Sequence, residues 1–378
     1  MDRANVVIIG GGVVGCAIAC ELAAHTEDVF VLEQMPKLGM ATSTRNSGVV
    51  HSGIYYPPGS LKARLCVAGN RLTQEFCAAH GVPHSNCGKL VVASHQAEIA
   101  ELERLAKNGR ANGVEGLQLV GRERIGQREP HVSAVAALEV PSTGIVEAEA
   151  LVKAYARVAA EHGASILTRA RVTQLETRTD SIAVSIELGD ATDPGGLQRE
   201  IVEARCVVNA AGLYADEVAA LLGNTGYRIY PVRGEYAEIS RARAGLVNAL
   251  VYPLPHPGGL TLGVHLTRTM GGTVLVGPTA RYVAEKTDYE RDRLPVEEFL
   301  RSAVTLLPEL KLDDLHLAYS GLRAKLVPPG GHGIADFIIA RDPVCPRAIH
   351  LVGIDSPGLT AAPAIALHVA PLVAETLA

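Results

Sequence analysis

The sequence predicts an α/β fold, with α+β elements, in which a Rossmann-type dinucleotide-binding domain carries an inserted, mainly antiparallel sheet. Three observations predict it. The chain starts on an apolar run of buried-strand type, Asn5-Val6-Val7-Ile8-Ile9, then breaks into Gly10, Gly12 and Gly15 in G-x-G-x-x-G spacing and a helix-like stretch to about Ala24. From Tyr227 the texture changes to long β-like runs, at 229–239, 250–253, 260–267 and 273–278. The chain then ends as it begins, with a strand at 348–353, a Ser356-Pro357-Gly358-Leu359-Thr360 turn and a helix to Ala378.

The glycines of the first turn serve separate purposes, with a tight turn at Gly10, backbone approach to a pyrophosphate at Gly12, and close helix packing at Gly15. The helix N-terminus offers free N–H groups and a positive dipole end to phosphates. A second strand, Val29 to Leu32, ends in Glu33, placed to accept from ribose hydroxyls. An acid there disfavours a 2′-phosphate, so an unphosphorylated adenine dinucleotide is expected. The glycine pattern alone does not separate FAD from NAD.

The loop at 34–39 leads into Ala41 to Tyr56, a polar and glycine-rich stretch that reads as a second ligand-contacting segment or as a capped helix start. Pro57-Pro58-Gly59-Ser60 caps a helix over Leu61 to His80, with Leu61, Leu65, Leu72 and Phe76 as its expected apolar face, and Gly81 ends it. A short strand at 89–93 and a charged helix at 96–112 follow. Residues 118–131 read as a short helix and turn, 136–140 as a strand, 141–146 as a turn and 147–162 as an Ala-rich helix. Beyond a strand at 165–167 comes a strand pair over 172–187, a polar loop at 189–196 and a buried strand from Glu203. That strand runs into the small-residue turn at Ala210, Ala211 and Gly212. The inserted sheet is followed by a helix at 295–307 and by 312–320, leading to Gly321-Leu322-Arg323-Ala324-Lys325.

Composition bounds the function. The 378 residues allow two or three domains, and 48% hydrophobic with 20% charged residues suits an ordinary globular protein. A net charge of −5 gives no electrostatic reason to expect nucleic-acid binding. Seven cysteines without paired short spacings argue against disulfides or a zinc site, and no metal is expected. No uninterrupted apolar segment reaches the roughly 18 to 20 residues of a membrane helix. The expected location is cytoplasmic, with a membrane-peripheral one as the alternative. With no Trp and four Phe, core volume must come from Ala, Val, Leu and Ile.

Several runs resemble the D-amino-acid-oxidase-type flavoprotein family and, within it, the L-2-hydroxyglutarate dehydrogenase or oxidase group. They are 45–56 with 58–63, 142–146, 208–212, Tyr252-Pro253 with 263–267, 321–323 and 356–360. The sequence departs from that group at Ala324-Lys325-Leu326 and across 328–333, which should lie near the substrate end. The resemblance implies FAD along an interrupted nucleotide domain (1–80, 142–225 and 321–378) under a substrate domain (81–141 and 226–320). Gly10, Gly12, Gly15 and Glu33 would hold the ADP half, and Thr44, Arg45, Asn46, Ser47 and His51 the path to the flavin. Val172, Ala210 and Gly212 would make main-chain contacts, and Gly358, Leu359 and Thr360 would meet the pyrimidine end.

The chemistry implied is oxidation of a small L-2-hydroxy acid, 2-hydroxyglutarate first, by hydride transfer to the flavin. His265 is the first candidate base, since an imidazole pKa of about 6.5 suits proton acceptance near neutrality; a core histidine between strands is the bland reading. Arg323 is the candidate carboxylate clamp, against a structural ion pair. Lys325 would hold a second carboxylate, sharing a face with Arg323 only if the segment is extended. Tyr55, Tyr56 and Tyr252 are candidates for a phenolic contact to substrate, with packing as the alternative. His51 has three open roles: acid–base group, flavin contact or covalent attachment point. Electrons would leave to oxygen or to a quinone, the latter requiring transient membrane contact. The competing readings are an amino- or imino-acid oxidase of the same fold and a non-catalytic flavin-binding subunit.

Overall fold

The computed structural model describes residues 2–189, 196–255 and 263–378. Two large sheets organise them. The first has a parallel centre, in spatial order Ser165–Thr168, Val29–Glu33, Asp2–Ile9, Gln198–Asn209 and Ala348–Val352, with Ile338–Arg341 antiparallel at one edge. The hairpin Ala170–Thr177 and Ile182–Leu188 pairs with the first half of Gln198–Asn209. Val6, Val7 and Ile8 in the middle strand are fully buried. An unalternating β-branched run is what a strand covered on both faces requires.

Helices Val13–Ala23, Ala148–Glu161, Leu61–His80 and Gly358–Leu377 share one core with the Val6 and Ile8 face. The hairpin and Val218 cover the opposite, Val7 and Ile9 face. Ala17, Ala19, Ala361, Ala362 and Ala366 are buried in the helical layer, so small residues supply close packing where bulky aromatics are scarce. All seven cysteines are free thiols, five of them buried.

The Leu61–His80 helix is capped as expected: Ser60 Oγ accepts from the Ala63 N–H, and Gly81 adopts a left-handed φ of 68°. A second cap comes from far away, where the Asp336 carboxylate accepts from the N–H groups of Leu61 and Lys62 at 2.7 and 2.8 Å. Its expected apolar face packs on the core, with Leu65 buried and Leu61, Leu72 and Phe76 half-buried against it. Beside that face a second stripe, Lys62, Cys66, Gly69, Asn70, Thr73 and Cys77, is buried as well. That stripe meets backbone. A Cβ on Gly69 would sit 2.3 Å from the Thr360 carbonyl oxygen, to which Thr73 Oγ1 donates, and Asn70 donates to the His51 carbonyl.

The second sheet has nine strands. In spatial order they are Arg281–Tyr282, Tyr230–Ile239, Val274–Gly277, His265–Arg268, Leu250–Pro253, Lys89–Ala93, Ala136–Val140 and Gln118–Gly121. Leu315–Lys325 pairs antiparallel with Tyr230–Ile239 along almost its whole length. All pairings are antiparallel except Leu250–Pro253 with Lys89–Ala93. Residues 118–121 are thus strand rather than helix and turn. Likewise Gly144–Val146 forms a strand between Val49–Val50 and His84–Ser85 in a third, small sheet. The expected strand at 260–267 is seen as His265–Arg268, with 260–262 outside the described residues; so are 190–195 of the expected polar loop.

By length and composition the Gly358–Leu377 helix could cross a membrane, contrary to the expectation from the sequence. Half of it is buried, against the first two long helices, which gives its apolar character a packing reason.

Candidate active site

The glycine turn at the end of the first strand is held open by contacts that only glycine tolerates. Gly10 has a φ of +110°, and a Cβ there would lie 2.6 Å from the Ala210 carbonyl oxygen. On Gly15 a Cβ would lie 1.9 Å from the Gly10 carbonyl oxygen, so this residue packs the helix onto the turn. Ser43 Oγ, from the polar loop, accepts from the Val13 N–H at 2.9 Å and closes over the helix start. The Glu33 carboxylate accepts from the N–H groups of Gly11 and Met35, both at 2.7 Å. Burial raises its pKa, and these two N–H groups oppose the rise.

One cavity of about 580 Å³ runs between this turn and the second sheet. It brings together Gly10, Gly12, Glu33, Arg45, Asn46, Ser47, His51, Tyr55, Tyr56, Val172, Ala210, Gly212, Tyr252, His265, Arg323, Lys325, Gly358 and Leu359. Three expected cofactor residues do not line it. Gly15 is spent on packing. Thr44 Oγ1 donates to the Gly39 carbonyl and braces the loop. Thr360 is buried, its hydroxyl accepting from the His51 N–H at 2.9 Å and donating to the Val49 carbonyl, so it fixes His51 from behind.

His265 lies on a strand beside Leu250–Pro253, and its ring stacks on that of Tyr252 with centroids 3.7 Å apart. Its Nδ1 is 2.9 Å from the Gly263 carbonyl oxygen. Only a donor fits there, which leaves Nε2 as the acceptor. Desolvation first, then the charges of nearby groups including Arg323, lowers its pKa to about 3, so the ring is neutral across the physiological range. His51 is likewise lowered to about 3 by burial and by Lys89. Its Nε2 is 3.2 Å from Ser356 Oγ, and its Nδ1 has no hydrogen-bond partner among the described residues.

Arg323 stands on the Leu315–Lys325 strand where two glycines make room. A Cβ on Gly234 would lie 2.8 Å from Arg323 Nη1, and one on Gly321 would lie 1.9 Å from the Arg45 carbonyl oxygen. Arg323 Nη1 donates to the Thr279 carbonyl at 3.3 Å, and among the described residues no carboxylate pairs with this arginine. The segment is extended, so Arg323 and Lys325 share a face and both line the cavity. Lys325 is nevertheless no free clamp. Its Nζ is 2.8 Å from Asp355 Oδ2, while Lys62 Nζ is 2.6 Å from Asp355 Oδ1. Burial pushes the Asp355 pKa up, and the two ammonium groups more than offset it, leaving the carboxyl below its ordinary value. Two lysines against one carboxylate leave one net positive charge at this corner.

Sequence reasoning covered Ser43, Lys62 and Ser356 only within longer runs, without a site role of their own, and passed over Asp355, although all four line the cavity. Lys62 carried a signal in the small and polar residues at helical spacing, Lys62, Cys66, Gly69, Asn70 and Thr73.

These residues fit an adenine dinucleotide with a flavin: an acid at the end of the second strand, a glycine turn onto a helix start, and a second helix start at Gly358 across the same cavity. The family described as DAO, FAD dependent oxidoreductase, matches residues 5–372. L-2-hydroxyglutarate dehydrogenase of Escherichia coli (strain K12) is 32% identical over 408 residues, covering 98% of this chain and 93% of its own. The mitochondrial enzyme of that name from Homo sapiens is 33% identical over 418 residues, covering 98% and 89%. Among solved structures, dithionite-reduced L-α-glycerophosphate oxidase from Mycoplasma pneumoniae with FAD bound is similar at a TM-score of 0.86 and 28% identity, over 99% of this chain and 95% of that one. Glycine oxidase from Geobacillus kaustophilus shares the fold at a TM-score of 0.80 and 23% identity, over 99% and 95%. A match that spans both the nucleotide turn and the inserted sheet leaves one conclusion: the chain belongs to the DAO family of FAD-dependent oxidoreductases, with FAD as its cofactor.

Proposed function

We propose that this enzyme oxidises a small L-2-hydroxy acid, L-2-hydroxyglutarate to 2-oxoglutarate. The observation that carries the reading is the meeting of His265, with a free Nε2 acceptor, and Arg323, without a carboxylate partner among the described residues, in one cavity beside the nucleotide cradle. The full-length similarity to L-2-hydroxyglutarate dehydrogenases supports it. Gly10, Gly12, Glu33, Ser43 and Asn46 would hold the nucleotide side of FAD, and Gly358 with Leu359 the flavin side. FAD, when bound, supplies the acceptor for the hydride leaving the substrate α-carbon.

The chain's own residues do the rest. Arg323 pairs with the α-carboxylate through its planar fork and sets the α-carbon's orientation. His265 Nε2 accepts the hydroxyl proton, the Gly263 carbonyl holding the tautomer that leaves this nitrogen unprotonated. Burial makes the ring a weaker base than the ordinary imidazole expected from the sequence, so its part is to accept the proton as the hydride leaves. The net positive corner of Lys62, Asp355 and Lys325 attracts the second carboxylate of a dicarboxylic acid. Tyr55, Tyr56 and Tyr252 wall the substrate from water. The final electron acceptor is oxygen or a quinone.

Anaerobic mixing with L-2-hydroxyglutarate should bleach the flavin absorbance within seconds. Bleaching by amino acids and not by any 2-hydroxy acid would replace this reading with that of an amino-acid oxidase.

A further inference from the structure

Behind the wall formed by Tyr55 and Tyr252 lies a lysine that the proposed reaction does not use. Lys89 begins the strand Lys89–Ala93, pairs in register with Leu250 and Val140, and is fully buried. Its Nζ sits over the two tyrosine rings, 4.6 Å from the Tyr55 centroid and 4.7 Å from that of Tyr252. Both tyrosines also line the cavity, which Lys89 itself does not. Among the described residues Nζ makes no hydrogen bond and no ion pair.

A buried ammonium with ring faces but no hydrogen-bond or anionic partner among the described residues is costly, because the rings return a fraction of the lost hydration. The other buried cations here are answered locally: Lys62 has Asp355, and Arg233 has Glu235 and Asp288. Lys89 has no such answer. The titratable groups around it are His51 in the polar loop, Tyr55, Cys66 on the Leu61–His80 helix, Tyr252 and His265, none of which is an anion near neutrality. Among the described residues none supplies the negative charge that would match it, which leaves a bound anion to do so.

We infer that Lys89 is a positioning residue serving as the counter-charge of the cavity: only partly protonated while the cavity holds no anion, and an ammonium once an anionic substrate or product lies against His265 and Arg323. The proton moves from solvent to Nζ, and no other bond changes. Binding of a carboxylate therefore takes up a proton, and the ammonium formed behind Tyr252 draws the anion toward the wall on which His265 is stacked. Desolvation already brings the Lys89 pKa down to about 7, with Cys66 opposing, which is the starting point such a switch needs. The anionic ligand rests on the proposed function; the state of Lys89 in the free enzyme does not.

The test is carbon NMR of the FAD-loaded enzyme labelled at lysine Cε. The chain has eight lysines, and the signal lost in K89R, or in K89M should the arginine variant fail to fold, is that of Lys89. In the ligand-free enzyme this signal should titrate near pH 7. With 2-oxoglutarate bound, followed through the flavin spectrum, its midpoint should rise by about one unit or more. A free-enzyme midpoint at the ordinary lysine value of about 10.4, or one that bound 2-oxoglutarate leaves unmoved, overturns the inference. Should 2-oxoglutarate fail to bind, the substrate reading falls and acetate becomes the probe, against chloride at equal ionic strength. A midpoint raised by acetate then supports the counter-charge, and an unmoved one ends it.

Discussion

A single proton acceptor decides how much the site can do. If His265 takes the hydroxyl proton, His265→Asn should lower kcat/KM for the hydroxy acid by roughly 100-fold or more, measured by anaerobic flavin reduction. An amine substrate, which needs less from a base, would show little loss. The two buried histidines also bear on stability. Each has a folded pKa of about 3 against an ordinary 6.5, so below pH 6.5 the unfolded chain binds protons that the native state refuses. Their contribution is present above pH 6.5 and lost as the pH falls toward 3. Urea titrations between those limits should show stability falling with acid, and His51→Asn or His265→Asn should flatten the slope. At this scale the sequence was informative about identity and silent about partners. His265, Arg323 and the tyrosines were legible as chemistry-bearing types in family-like runs. That Lys325 is tied to Asp355 was not, because nothing local in either segment marks the other.

Among the elements, the crossing of the Leu61–His80 and Gly358–Leu377 helices is a tight contact behind the site. Gly69→Ala would drive a methyl against the Thr360 carbonyl, where a Cβ has only 2.3 Å, and should destabilise by about 2 kcal/mol by overpacking. Because Thr360 holds the His51 N–H, the same variant should also weaken flavin retention on gel filtration. The helix itself was plain in the sequence from Ser60 and Gly81, since caps are local chemistry. Part of its buried surface was not. Apolar periodicity pointed to Leu61, Leu65, Leu72 and Phe76, which do pack on the core, but the side packed on backbone hides small and polar residues that carry no such signal. The strands at 118–121 and 144–146 escaped for a related reason: their turn-like composition is overridden by partners on other strands.

Across the whole molecule, Asp355 ties three distant parts together. It joins the turn before the last helix to Lys62, 293 residues away in sequence, and to Lys325 on the second sheet. Asp355→Asn would leave two ammonium groups without their partner and should lower stability by about 3 kcal/mol, read as a fall in melting temperature. A conservative Asp355→Glu should recover part of it. The insertion of one sheet into the other followed from the alternation of patterns along the chain, whereas the spatial order of the strands came only from their pairing. The cavity did not follow, since it exists only where the two sheets face each other. The thiols carry a last consequence of this architecture. Burial pushes Cys16, Cys77 and Cys206 up to about 12 and Cys20 to about 11, so they stay protonated and slow to react in the native state. An aromatic disulfide reagent added to intact enzyme should therefore give a faint, lagging colour that leaps to seven equivalents on denaturation, making the chain its own gauge of integrity during storage.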